Sequence, residues 1–124
     1  MEDSDFLRNA LARSLRREGL RVAAVPSALH ALQVLDREAV AVVVADLRMP
    51  GPSGLVLLET VADCWPKVRR VLLTAYPTRE AWSSPAVDLL LDKGEDPLFL
   101  IGSIVNEARQ GNGETNGRGA PRDG

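Results

Sequence analysis

A carboxylate, a hydroxyl and an ammonium stand at the ends of three successive apolar runs. Asp46 closes the run Val40-Ala-Val-Val-Val-Ala45, Thr74 closes Val68 to Leu73, and Lys93 follows Val87 to Leu91. Glu2 and Asp3 lie just before the first helical stretch. A carboxylate can be the nucleophile that takes a phosphoryl group. Mg²⁺ prefers hard oxygen ligands, usually one or two carboxylates together with water and phosphate. Phosphoryl transfer then depends mainly on positioning and on charge neutralisation. In that chemistry Lys93 covers charge and Thr74 donates to a phosphoryl oxygen. Each residue also has a plainer role open to it. Asp46 can cap a loop, and Glu2 and Asp3 can enrich a helix start with negative charge. Thr74 can be an ordinary β-branched strand residue, and Lys93 a solvated loop lysine.

The elements that must position these groups alternate along the chain. Phe6, Leu7, Ala10, Leu11 and Leu15 recur at helical spacing, with Ser4 or Asp5 as cap and Gly19 as terminator. Leu20 to Val25 reads as a short extended run. Pro26 and Ser27 open a second helix with Ala28, Ala31, Leu32 and Leu35 on one face. The Val40 to Ala45 run, apolar throughout and rich in valine, reads as a strand buried on both faces. After the loop from Asp46 to Ser53, a third helix turns Leu55, Leu58, Val61 and Ala62 inward and closes at Trp65-Pro66. Val68 to Leu73 is a further buried strand. Thr78 to Ser84 is a short fourth helix broken by Pro85, and Val87 to Leu91 a last strand. Asp96-Pro97 starts a fifth helix with Ile101, Ile104, Val105 and Ala108 as its buried stripe.

Such alternation predicts an α/β fold, a doubly wound parallel sheet with helices on both faces. In such sheets a ligand site lies at the carboxyl ends of the strands, where Asp46, Thr74 and Lys93 stand. The chain's 124 residues fit one domain. Residues 110–124, with glycines at 111, 113, 117, 119 and 124, read as a disordered polar tail behind a domain over residues 1–109.

Composition excludes several function classes. Fifteen Lys and Arg against seventeen Asp and Glu give a net charge of −2, so no electrostatic footprint for nucleic acid is expected. Aromatic residues make up only 4%, too few for a base-stacking surface. The single Cys64 rules out an internal disulfide and a cysteine-built zinc site, and it reads as a packing residue beside Trp65. No apolar run approaches the roughly 18 residues of a membrane span, and the acidic N-terminus is unlike a signal peptide. A cytoplasmic protein without membrane or nucleic-acid partners is expected. Arg13, Arg16 and Arg17 form a basic face on the first helix, either merely solvated or a docking face. His30 is alone on its helix and reads as a surface histidine.

Asp46-Leu-Arg-Met-Pro50 with Gly54 resembles the phosphoacceptor segment of response-regulator receiver domains. In that family Met-Pro follows the Asp at three and four residues and Gly at eight, as here. Thr74-Ala75 at a strand end and Lys93 after the last strand complete the resemblance, which spans Glu2 to Arg109. It implies a five-stranded flavodoxin-like fold and aspartyl phosphorylation from a histidine kinase or phosphotransfer protein, with Mg²⁺. Asp46 is then the acceptor, and Thr74 and Lys93 contact the phosphoryl group. Glu2, Asp3, Asp46 and the backbone carbonyl of Arg48 hold the metal. The chain is then a phosphoacceptor signalling domain and not an enzyme, with a homodimer through the fourth and fifth helices implied as an option.

Departures from the family pattern shape the competing expectations. Met1 immediately precedes the acidic pair, so the family's first central strand is missing, which would open two strand edges inside the sheet. A start placed too late, a degenerate domain, or one completed by a partner's strand are the alternatives. Glu2 replaces the usual Asp. Gly94 follows Lys93 where the family usually has Pro, often cis, which predicts a looser lysine loop. Leu90 occupies the position of the aromatic switch, and the stretch from Thr74 to Lys93 is short, compressing the fourth helix. The leading expectation is a single-domain receiver that signals by protein contact. A pseudo-receiver, acting as a phosphorylation-independent interaction module, is the alternative. A small phosphatase is disfavoured, because haloacid-type phosphatases place an Asp where this chain has Arg48.

Overall fold

The computed structural model describes residues 4–47 and 53–115. Helix α1 (Ser4–Arg17) is followed by α2 (Ala28–Arg37), β1 (Val42–Asp46), α3 (Gly54–Cys64), β2 (Arg69–Thr74), α4 (Arg79–Ser83), β3 (Leu89–Asp92) and α5 (Pro97–Thr115). The three strands form a parallel sheet in the order β1-β2-β3. The register pairs Asp46 with Leu73 and Thr74 with Asp92, so the three strands end at one rim.

Local chemistry sets the boundaries. Gly19 takes φ +94°, a left-handed conformation suited to glycine, and the Leu20 N–H closes back on the Leu15 carbonyl at 3.2 Å. Ser27 caps α2, Ser53 caps α3 and Thr78 caps α4, each hydroxyl accepting a backbone N–H of the first turn. Trp65 ends α3 with its N–H on the Val61 carbonyl. Asp96 caps α5, its carboxylate accepting the Leu98 N–H at 2.7 Å.

Two cores lie on opposite faces of the sheet. Val71, Leu73 and Leu91 pack with Leu15 of α1 and Leu100, Ile101, Ile104 and Val105 of α5. Leu72 and Ala45 pack with Ala28 and Leu35 of α2 and Leu57, Leu58 and Val61 of α3. The alternation of Val71, Leu72 and Leu73 between the two is the period of two of a strand covered on both sides. The fully buried Leu58, Leu72, Ile104, Val61 and Val71 mark the centres of these layers.

Several expectations change. Leu20 to Val25 belongs to no strand, so among the described residues three strands stand where the alternation predicts four and the family resemblance implies five. A strand is made by hydrogen bonds to a neighbour, and no described strand offers that run a partner. Within the run Leu20 and Val22 pack only partly against the core on the α1 and α5 side. The valine-rich run is covered on both faces, Val43 and Ala45 on the α2 and α3 side and Val42 and Val44 on the α1 and α5 side, but β1 is an edge strand among the described residues and its three valines are only half-buried. In α3, Leu57 takes the buried position expected of Leu55. Phe6 points to solvent at 70% exposure, and Cys64 is exposed, not packed. The backbone of α5 continues to Thr115. The caps expected at Ser4 or Asp5 give way to a helix that already includes both residues.

Candidate functional site

Asp46 is the last residue of β1, and the chain stays in register one residue further, Leu47 donating its N–H to the Leu73 carbonyl at 3.2 Å. Gly54 donates its N–H to the Leu47 carbonyl at 3.1 Å. This brings the start of α3 directly onto the end of β1. A Cβ at Gly54 would stand 2.0 Å from the Asp46 carbonyl oxygen and 2.6 Å from its carbon. Only glycine allows two backbones to meet so closely.

Thr74 ends the central strand, buried at 3% exposure. Its hydroxyl oxygen accepts the Tyr76 N–H at 3.1 Å, which leaves the hydroxyl hydrogen able to donate. Lys93 leaves β3 with its N–H on the Thr74 carbonyl at 3.0 Å. Its ammonium crosses the rim to Asp46, with Nζ 2.6 Å from Oδ2. Both side chains are largely shielded, at 14% and 20% exposure, so this is a short charge-assisted contact in reduced dielectric.

The structure therefore brings Asp46, Thr74 and Lys93 together at the carboxyl ends of adjacent strands. Glu2, Asp3 and the backbone carbonyl of Arg48, like Met49 and Pro50, lie outside the described residues. Among the described residues no group of three or more His, Cys, Asp or Glu is arranged to hold a metal ion. The donor this part of the rim offers is the Asp46 carboxylate, a hard oxygen ligand of the kind Mg²⁺ takes.

Sequence reasoning passed over the turn after β3. Asp92 to Glu95 forms a tight turn, with the Glu95 N–H on the Asp92 carbonyl at 3.0 Å and the Gly94 N–H on Asp92 Oδ1 at 2.8 Å. The Gly94 departure from the family pattern thus leads to a hydrogen-bonded turn and not to the looser loop expected. An Asp two residues before a Gly was the available signal, since Asp favours the first position of such turns.

Other singled-out residues stand apart from the rim. Arg13, Arg16 and Arg17 are exposed on α1, where Arg16 donates to the Val22 carbonyl at 3.0 Å. His30 is exposed and its Nδ1 lies 2.7 Å from the Ser27 hydroxyl. Leu90, at the switch position, is half-buried against the α2 and α3 core. Large apolar side chains cluster in sequence around α4 and the start of α5: Tyr76 (71% exposed), Trp82 (68%), Leu98 (81%) and Phe99 (53%).

Residues 1–93 match the model of the response regulator receiver domain. The chain belongs to that family. It is 42% identical over 104 residues to the response regulator protein FleR of Pseudomonas aeruginosa, covering 81% of this chain and 22% of FleR. It is 36% identical over 80 residues to the hydrogenase transcriptional regulatory protein HoxA of Cupriavidus necator, covering 64% of this chain and 16% of HoxA. The chain thus spans about a fifth of the length of these curated relatives. A CheY-like receiver domain protein from Methanospirillum hungatei superposes with TM-score 0.81 at 22% identity, covering 91% of this chain and 93% of that one. TrrA of Thermotoga maritima, crystallised in complex with Mg(2+)-BeF, superposes with TM-score 0.75 at 26% identity, covering 85% and 92%. The flavodoxin-like receiver fold expected from the sequence is the fold observed. No described helix is long and apolar enough to cross a membrane.

Proposed function

We propose that this receiver domain accepts a phosphoryl group on Asp46 from the phosphohistidine of a histidine kinase or phosphotransfer protein, in a Mg²⁺-dependent reaction. The observation that carries the reading is the 2.6 Å contact between Lys93 Nζ and Asp46 Oδ2, with Thr74 on the strand between them. An Asp46 carboxylate oxygen forms the O–P bond as the donor's N–P bond breaks, and the departing imidazole takes up a proton. Lys93 then stands where the added negative charge falls, and the Thr74 hydroxyl donates to a phosphoryl oxygen. Mg²⁺, when bound, supplies further neutralisation of the phosphoryl charge. Asp46, Glu2, Asp3 and the Arg48 carbonyl would hold it, as the family resemblance implies. The Mg(2+)-BeF complex of TrrA supports the same chemistry for this chain.

The domain turns over no free substrate in this reading, acts in the cytoplasm and passes information by protein contact. The exposed Trp82, Leu98 and Phe99 favour α4 and α5 as the face that meets a second copy or a downstream partner. One observation favours a second reading. Leu90 packs half-buried against the α2 and α3 core at the position of the aromatic switch, so a phosphorylation-independent interaction module is the alternative.

The test is an intact-mass spectrum after incubation with acetyl phosphate and Mg²⁺, with Asp46→Asn and a thermal melt beside it. A phosphoryl adduct that the variant lacks supports the acceptor reading. A cooperatively melting protein without adduct supports the interaction module instead.

A further inference from the structure

We propose that Asp92 is a positioning residue for this site: its carboxylate pins the turn that aims Lys93 at Asp46. The proposal rests on the reading of Asp46 as acceptor and adds the residue that holds the acceptor's cationic partner.

Lys93 must leave the end of β3 at a defined angle, because its Nζ has to cross to a carboxylate on β1, two strands away. Its backbone N–H is fixed on the Thr74 carbonyl. The rest of its orientation comes from the turn that it opens. In this turn Asp92 is the first residue, Lys93 and Gly94 the central pair, and Glu95 the last. The Asp92 carbonyl accepts from Glu95, and its carboxylate accepts from Gly94 at 2.8 Å. Two bonds from a single residue therefore bracket Lys93 on its C-terminal side. An Asp at the first position of a turn does this because its side chain mimics a backbone acceptor.

Gly94 gives an independent sign that the carboxylate is accommodated. Gly19 is the one described glycine at positive φ, so Gly94 is not there for left-handed backbone. A Cβ at Gly94 would instead stand 3.3 Å from Asp92 Oδ1, tighter than ordinary packing. Glycine leaves the carboxylate its seat and supplies the N–H that proline would remove.

The sequence contains two lysines, Lys67 and Lys93, and Lys67 is exposed. Competitive acylation with an acetyl N-hydroxysuccinimide ester, read by peptide mass spectrometry, thus has an internal reference. In the wild-type chain Lys93 reacts more slowly than Lys67, because its amine is shielded and ion-paired. Asp92→Ala is expected to raise the Lys93 to Lys67 ratio by about two- to tenfold, the equilibrium factor of one net hydrogen bond. Asp92→Asn keeps the acceptor oxygen and is expected to hold the ratio near wild type. Gly94→Pro removes the donor from the other side and is expected to behave like Asp92→Ala. Thermal melts establish that each variant is folded. Unchanged Lys93 protection in Asp92→Ala and Gly94→Pro overturns the proposal, as does an Asp92→Asn ratio equal to that of Asp92→Ala. The readout needs no phosphorylation. A wild-type chain that forms no adduct with acetyl phosphate refutes the acceptor reading separately, and a raised adduct-formation time in Asp92→Ala but not Asp92→Asn joins the two.

Discussion

Lys93 Nζ lies 2.6 Å from Asp46 Oδ2 across the carboxyl rim of the sheet, and both side chains are mostly shielded from water. In the proposed reaction this pair would hold the nucleophile and its counter-charge in one geometry before any phosphodonor arrives. Lys93→Ala is therefore expected to slow adduct formation from acetyl phosphate by about 10²-fold, the scale of losing one preorganised charge-stabilising donor. Lys93→Arg keeps the charge but replaces a compact ammonium by a planar fork, and partial recovery is expected. Time courses of intact mass measure both. An unchanged Lys93→Ala rate would show that Lys93 has no part in the transfer.

Gly54 is a second fixed point beside Asp46. With the Asp46 carbonyl oxygen 2.0 Å from where a Cβ would go, even alanine must push two backbones apart. Gly54→Ala is expected to cost about 2–3 kcal/mol of stability, at the upper end of ordinary overpacking. A lower urea midpoint with an unchanged slope checks it. A variant as stable as wild type would mean that α3 can slide freely on β1.

Much of this arrangement was legible in the chain itself. Gly54, eight residues after Asp46, is where the backbones of α3 and β1 meet, and the apolar runs before Thr74 and Lys93 pointed to the strands that deliver them. The inward stripe Ile101, Ile104, Val105 and Ala108 of α5 is buried as its periodicity predicts. What was not legible depends on neighbours. Val42 to Val44 carry the strongest strand signal in the chain yet are only half-buried, because burial of a strand comes from what lies beside and over it. Leu20 to Val25 fails to become a strand for the same reason. The turn at Asp92 was hidden differently. Lys93 is followed by glycine in place of the family's proline, and the Asp92 side chain holds the Gly94 N–H in the turn that results, a contact that depends on side-chain geometry.

Thr74 joins two tasks that substitution can separate. Its oxygen accepts the Tyr76 N–H, and in the proposed reaction its hydrogen would donate to a phosphoryl oxygen. Thr74→Ser keeps both and is expected to retain adduct formation. Thr74→Val keeps the shape but removes the hydroxyl, with an expected stability loss of about 1–3 kcal/mol from the lost acceptor at a buried position. Its adduct is expected to form more slowly or decay faster. Equal adduct yield and lifetime in Thr74→Val would leave Thr74 with a structural role alone.

The edge of the sheet makes the last prediction. Arg69 donates to the Ala41 carbonyl and Leu47 donates to the Leu73 carbonyl, so odd-numbered backbone groups of β1 face β2. The N–H and C=O groups of Val42 and Val44 therefore point away from β2, toward the side where no described strand pairs with β1. A parallel sheet ordinarily buries such an edge, and an unpaired one opens locally at low free energy. In amide hydrogen exchange followed by NMR, Val42 and Val44 are expected to exchange at least about tenfold faster than Val43 and Ala45, whose amides face β2. Equal protection along the whole strand would mean that another extended segment covers this edge in solution. That segment would then supply the fourth strand, and the half-burial of the β1 valines would rise to the burial their sequence predicts.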